Sequence, residues 1–286
     1  MKQYYKIADH VICIESDNPD IIESIPGFAE FRCEYRGECV MCVKLNSCNP
    51  IPIEGDRFHR VKTPIAHCLL FHTLGGSGLE IKQNNVLKLS LLYDVYTKTC
   101  VINGCLIPEL VRYALWIAFN YSVACLRTIA IHSSSIVYQN KAFLYLGGSG
   151  TGKSTHTRLL CQHLTGTELL NDDSPILRII DGKCFVYGSP WSGKTACHKQ
   201  RKAMLAGITR LYQAPGNTLE QLSLHKSVAA LFPSFPPELY LSNKQLHHVT
   251  GLISTILDSV EVCSFKCQPN KEAAEISIEY IRSACV

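Results

Sequence analysis

The stretch AFLYLGGSGTGKSTHTRLLCQHLTGTELLNDDSP, residues 142–175, decides how the chain folds. It begins with a short apolar run at 142–146 closed by glycine, the pattern of a strand buried on both faces. A glycine-rich loop follows, then a helical stretch to about His163, then a second strand, ELLN at 168–171, followed directly by Asp172 and Asp173. Strand, loop, helix, strand predicts a right-handed βαβ unit whose two parallel strands finish on one edge of a sheet.

The loop GGSGTGKS, residues 147–154, fits the spacing G-x-x-x-x-G-K-[ST]. Triphosphate oxygens need several donors at short range. Glycines let the backbone curl so that successive N–H groups point inward, and the helix start adds unpaired N–H groups and a positive dipole end. Gly147, Gly148, Ser149, Gly150, Thr151, Gly152, Lys153, Ser154 and Thr155 are therefore expected to hold the phosphates of ATP. Lys153 brings a mobile ammonium to the β- and γ-phosphates, and the Ser154 hydroxyl is expected to ligate Mg²⁺. Asp172 and Asp173 should arrive beside those phosphates. Successive strand residues point oppositely, so one carboxylate can serve the metal and the other the acceptor.

Outward from this stretch the pattern changes. Residues 1–104 read as a β-rich region of alternating strands, including FAEFRCEYRG, with turns at Asn84-Asn85 and Asn103-Gly104. A helix over 107–124, entered through Pro108 and Glu109, is the connector to an α/β domain over 105–286. IAIHSSSIVY, 129–138, reads as one strand ahead of the glycine loop, with His132 in it. After the aspartates, GSPWSGKT at 188–195 is a second Gly/Ser loop, whose Lys194 can reach back to the phosphates. Lys199, Arg201 and Lys202 follow and could attract an anionic substrate.

The composition excludes several classes. The net charge of +4 in 286 residues is small and scattered, which gives no support for nucleic acid or a membrane surface as partner. The 15 cysteines are odd in number and irregularly spaced, as expected of reduced thiols in a cytoplasmic protein rather than a disulfide scaffold. The N-terminus shows no basic-then-apolar signal region.

The run from IHSSSIVYQNKAFLYLGGSGTGKST to LLNDDSP resembles the catalytic domain of HPr kinase/phosphorylase, itself similar to phosphoenolpyruvate carboxykinase in its phosphate-loop core. The SPWSGK segment is similar to that of HPr-kinase-like proteins of bacteria. The resemblance covers about residues 128–200. It implies a mixed-sheet α/β P-loop core, Mg²⁺ and ATP as cofactors, Asp172 as catalytic base, Asp173 on the metal side, His132 beside them, and Lys194 in place of an arginine-type contact. No Glu-x-Arg-Gly-Leu-Gly segment is present, so HPr itself is not the expected acceptor.

The expected activity is transfer of the γ-phosphoryl group of Mg-ATP to a hydroxyl, on a serine of a peptide or protein. Two other readings stay open: an ATP-binding regulatory or partner-binding module without transfer, and a carboxykinase acting on a small acid. The oligomeric state is left open.

Overall fold

The computed structural model describes every residue except Tyr35, Arg36, Pro64, Ile65, Lys194, Lys244 and Val286. Lys194, expected in the site, therefore lies outside the described residues. The chain divides into two compact units, Met1–Leu126 with Glu238–Leu246, and Arg127–Pro237 with His247–Val286.

The first unit is built on a nine-stranded mixed sheet. Its strands are β1 (Lys2–Ile7), β2 (His10–Ser16), β3 (Arg32–Cys33), β4 (Met41–Asn46), β5 (Asp56–Lys62), β6 (His67–Thr73), β7 (Gly76–Gln83), β8 (Val86–Asp94) and β9 (Thr99–Gly104), in the order β3-β1-β2-β4-β9-β8-β7-β6-β5. Helix α1 (Pro19–Ser24) follows β2, and α2 (Pro108–Val123) follows β9. The Asn84-Asn85 turn forms as predicted, both residues taking positive φ (49° and 63°), as a tight hairpin with right-handed twist demands. Asn103-Gly104 is not a turn. Both residues lie at the end of β9, paired with Ser90 and Leu89 of β8.

FAEFRCEYRG departs from the predicted strand in its first half: Arg32–Cys33 pairs with β1 as strand β3, while Tyr35 and Arg36 lie outside the described residues. Residues Ala29–Phe31 form a short 3₁₀ turn, because Phe28 and Phe31 are both buried and three apart, the period of that turn. The helix expected over 107–124 is α2. It packs on β7, β8 and β9, so it belongs to the first unit rather than standing between two units. Pro108 opens it where a missing N–H costs nothing, and most of its surface is buried.

Glu238 carries an unusual burden in this unit. It is only 3% exposed, receives the Tyr113 hydroxyl at 3.2 Å on Oε1, and has no partner for Oε2 among the described residues. Burial pushes its carboxyl up to about 7, and the nearby Cys68 thiol and Tyr113 hydroxyl are pushed up for the same reason. The folded state thus holds the Glu238 proton more tightly than the unfolded chain. The stability this gives is full below the ordinary carboxyl value and is lost as pH rises toward 7. Glu238→Gln should abolish that loss. Denaturant unfolding of the two proteins should show the variant gaining on the native chain between about pH 5 and 7, by about 3 kcal/mol at the plateau.

The second unit holds β10 (Thr128–Ala130), β11 (Ser133–Tyr138), β12 (Lys141–Leu146), α3 (Lys153–His163), β13 (Glu168–Asp173), β14 (Ile176–Ile180), β15 (Lys183–Tyr187), β16 (Lys202–Gln213), β17 (Thr218–Gln221) and α4 (Leu224–Leu231). After α5 (Pro237–Tyr240) come α6 (Leu246–Leu257), β18 (Val262–Cys267) and α7 (Lys271–Ser283). The sheet order is β10-β14-β15-β16-β12-β11-β13, with β18 beside β16 and β17 beside β18. Helices α3 and α7 pack together, closing a core that includes Phe143, Tyr145, Leu160, Phe265 and Ile278. His156 on α3 joins that core. Its Nε2 lies 2.9 Å from the Ser277 hydroxyl, and burial pulls its pKa down to about 4, so it stays neutral.

Two predictions about this sheet need correction. IAIHSSSIVY is two strands, β10 and β11, broken at Ile131 and His132. The break is fixed by backbone bonds from Ile131 to the Pro175 carbonyl (3.0 Å) and from His132 to the Ser234 carbonyl (2.7 Å). The strands β12 and β13 do run parallel and end on one edge, but they are not neighbours. The strand β11 lies between them, antiparallel to both. Its first residue, Ser133, is paired with Leu146 on one side and Asp173 on the other. The inserted strand therefore starts where its two neighbours finish, which brings His132 to the same edge. Among the described residues, no helix is long and apolar enough to cross a membrane.

Candidate functional site

The site is built on that edge. Strand β12 is buried along its length up to Leu146, and the chain then turns at Gly147. Gly147 has φ +152°, and a Cβ there would meet the Thr151 hydroxyl at 2.4 Å, so the turn requires glycine. Thr151 ties the loop from within, its hydroxyl donating to the Gly148 carbonyl at 2.9 Å. Gly148, Ser149 and Gly150 are exposed, which leaves the loop open to a ligand. Helix α3 begins at Lys153 without a side-chain cap and without an acidic residue in its first turn. Its first N–H groups and its dipole end are thus left for an anion.

Lys153 lies across the loop. Its ammonium donates to the carbonyls of Gly147 (2.9 Å) and Gly148 (3.1 Å) and to His132 Nε2 (3.0 Å). Lys153 is 8% exposed, and burial lowers its pKa, against the pull of Asp173 and Asp172. Because an ammonium has no lone pair to offer, His132 Nε2 must accept, and the imidazole proton sits on Nδ1. Nδ1 is 3.2 Å from Asp173 Oδ1. Lys153, His132 and Asp173 thus stand in a row along the edge, Lys153 hydrogen-bonded to His132 and His132 in close contact with Asp173.

The two carboxylates are placed differently. Asp172 is buried and accepts the Ser154 hydroxyl at 2.8 Å on Oδ1. The Asp173 side chain is about half exposed, and its backbone sits at φ +151°, outside the comfortable range for a residue with a side chain. Such a conformation costs about 1–3 kcal/mol and persists where surrounding structure imposes it. Here the imposing element is the second loop. Gly193 N–H donates to the Asp172 carbonyl at 2.6 Å, and Ser192 forms an isolated bridge with Asp173. A Cβ on Gly193 would stand 2.8 Å from the Asp172 carbonyl oxygen, so the close approach needs glycine.

Sequence reasoning missed Asn171. Asn171 is fully buried beneath the aspartates; its amide reaches the Ser189 hydroxyl (3.2 Å) and its Oδ1 receives the Ser174 N–H (2.9 Å). It thereby holds the second loop to the strand. A polar residue directly after Leu169 and Leu170 was the available signal. The strand β16, beside β12, had also not been recognised, although residues 203–211 carry mostly apolar side chains.

The basic residues Lys199 and Arg201 do not reach the site. Both pair with Glu168 at the start of β13, the opposite end from Asp173. Lys202 lies over the rings of Phe185 and Tyr187. Thr155 faces another feature. A cleft of about 390 Å³ opens beside the loop, lined by Gly150, Thr155, Leu211, Gln213, Cys267 and Pro269 among others. Its wall is tied to the loop by Gln213, whose amide donates to the Gly150 carbonyl at 3.0 Å.

No family model matches the chain, and no curated protein matches it. Among solved structures, the Hpr(Ser) kinase/phosphatase from Coxiella burnetii is similar to it over 54% of this chain and 88% of the other, with 12% identity and a TM-score of 0.31. What the site can do is therefore argued from its own residues.

The residues present fit a nucleotide and a divalent cation. Open loop amides, an uncapped helix start and a lysine resting on carbonyls suit phosphate. The Ser154 hydroxyl against a buried carboxylate suits Mg²⁺, which takes few protein ligands beside phosphate and water. Among the described residues there is no cluster of three or more His, Cys, Asp or Glu for an all-protein metal site.

Proposed function

We propose that the second unit is a kinase that transfers the γ-phosphoryl group of Mg-ATP to a hydroxyl, with a serine of a peptide or protein as acceptor. The observation that carries this reading is the convergence on Lys153 and Ser154 of two carboxylates in different settings, one bonded to Ser154 and the other beside His132, which Lys153 meets. A loop that only bound phosphate would need neither.

The triphosphate lies along residues 147–155, and the nucleoside occupies the cleft beside Thr155. Mg²⁺ supplies charge neutralisation on the phosphates when bound, with Ser154 as its protein ligand and a carboxylate close by. Lys153 leaves the Gly147 and Gly148 carbonyls for the phosphate oxygens.

The placement of the aspartates favours the reverse of the roles that the resemblance implies. Asp172, buried against Ser154, suits the metal side. Asp173, half exposed, is open to an acceptor from solvent. It takes the acceptor's proton, while the His132 Nδ1–H holds the carboxylate in place. Most of the rate enhancement comes from positioning and from charge placed in advance.

The test is incubation with γ-labelled ATP and serine-containing peptides and proteins, reading label in the acceptor. The proposal expects transfer that requires Mg²⁺. Tight Mg-ATP binding without transfer to any acceptor would favour the regulatory module instead.

A further inference from the structure

The first unit carries a groove of its own, on the face of its sheet turned away from α2. Strand residues alternate between faces, so Leu89, Leu91, Cys100 and Ile102, all fully buried, share the side on which α2 packs. Ser90 and Leu92 of β8 share the opposite face with Asn103 and Val101 of β9, to which they are paired. The chain at 51–54 crosses that face. Two side chains pin it there: the Ile51 N–H donates to the Ser90 hydroxyl at 2.9 Å, and the Ile53 N–H donates to Glu80 Oε1 at 3.0 Å. Beside the crossing segment the cover stops, and a cavity of about 540 Å³ opens over Leu92 and Val101.

This groove is apolar where the solvent face of a sheet is ordinarily polar. Leu92 is half exposed on its floor, Ile51 is exposed on its wall, and Leu74 is fully exposed at its end. The Val95 N–H donates to the Gly75 carbonyl at 3.0 Å, which ties two hairpin ends together. Exposed Val95 and Tyr96 are thereby held next to Leu74. Large apolar side chains gathered in this way on a surface mark a contact site.

The charges of the groove are of one sign. Glu54 and Asp94 line it, and among the described residues no lysine, arginine or histidine does. Asp94 Oδ1 accepts the Tyr96 and Thr97 N–H groups at 2.9 and 2.8 Å, which fixes the carboxylate in place. Glu54 is exposed and makes no ion pair among the described residues. Two copies of the chain meeting through this face would set these acidic groups against each other, since a two-fold contact uses one surface twice. The fitting occupant is both apolar and basic.

We propose that this groove docks a short segment of a partner polypeptide in which leucine-like side chains are flanked by lysine or arginine. The apolar side chains fill the space over Leu92 and Val101, and the cations meet Glu54 and Asp94 at the rim. This goes beyond the phosphoryl-transfer reading and does not depend on it.

Fluorescence anisotropy of the full chain with three labelled octapeptides tests it. Each peptide has a Gly/Ser frame around a different centre: Lys-Leu-Leu-Lys, Glu-Leu-Leu-Glu or Lys-Ser-Ser-Lys. The first should bind with a Kd of about 10–100 µM, as suits a small interface, and the other two at least about tenfold more weakly. Leu92→Ser should weaken the first about tenfold, the scale of one apolar side chain on the floor. Glu54→Lys should weaken it about threefold and strengthen the Glu-Leu-Leu-Glu probe by a similar factor, the scale of an exposed ion pair. Both changes fall on exposed side chains and leave the core intact. Equal affinity for the three probes, no binding of the first below about 1 mM, or unchanged affinity in both variants would overturn the proposal. Dimerisation in sedimentation equilibrium that Leu92→Ser abolishes would make the face a contact between copies and would overturn it too.

Discussion

Lys153→Ala is expected to lower phosphoryl transfer by about a thousandfold, the size of effect seen when a charge aimed at the transferring phosphate is removed. The side chain is nearly buried, and its ammonium is held by three acceptors within 3.1 Å. Two of these are loop carbonyls, which hold the cation in place before any phosphate arrives. Alanine removes the charge and leaves the His132–Asp173 pair without its third member. Lys153→Arg should not restore the rate, because a planar guanidinium does not fit a cradle shaped for a point charge. Single-turnover label transfer measures this directly, with Mg-ATP affinity as the companion value. Retention of more than about a tenth of the native rate would remove Lys153 from the chemistry.

The second large effect separates the aspartates. Asp173→Asn should slow transfer by about a hundredfold or more, and raising Mg²⁺ should not recover it, because the lost function is proton acceptance. Asp172→Asn should slow transfer comparably at low Mg²⁺ and regain much of the rate at high Mg²⁺, since the lost carboxylate balances the cation's charge beside Ser154. Measured rates across a Mg²⁺ series decide the matter. If instead Asp173→Asn is the variant rescued by Mg²⁺, the roles implied by the resemblance hold, with Asp172 as base.

Much of the site was legible because local chemistry leaves traces at fixed spacing. The loop glycines, Lys153 and Ser154 could be placed by motif, and the apolar runs on either side bounded the helix within a residue or two. The double aspartate could be brought to the loop because parallel strands end on a common edge. What could not be read was the strand between them. The break at Ile131 and His132 depends on bonds to Pro175 and Ser234, which lie far along the chain. No alternation within IAIHSSSIVY reveals it. The distinct settings of Asp172 and Asp173 were hidden for the same reason. They depend on Gly193 and Ser192 arriving from a separate loop and forcing Asp173 into positive φ. In the first unit, Phe28 and Phe31 lay in a stretch whose composition favoured a strand, and burial at a spacing of three made it a turn instead.

The central claim is that the loop at 147–154 holds a nucleoside triphosphate beside the two aspartates. A crystal structure of the protein with Mg²⁺ and a non-hydrolysable ATP analogue tests it most directly. The account predicts phosphates under the loop amides, Lys153 Nζ moved from the Gly147 and Gly148 carbonyls onto phosphate oxygen, and the cation beside Ser154. Saturating analogue with the loop empty, and Lys153 still resting on those carbonyls, would contradict it.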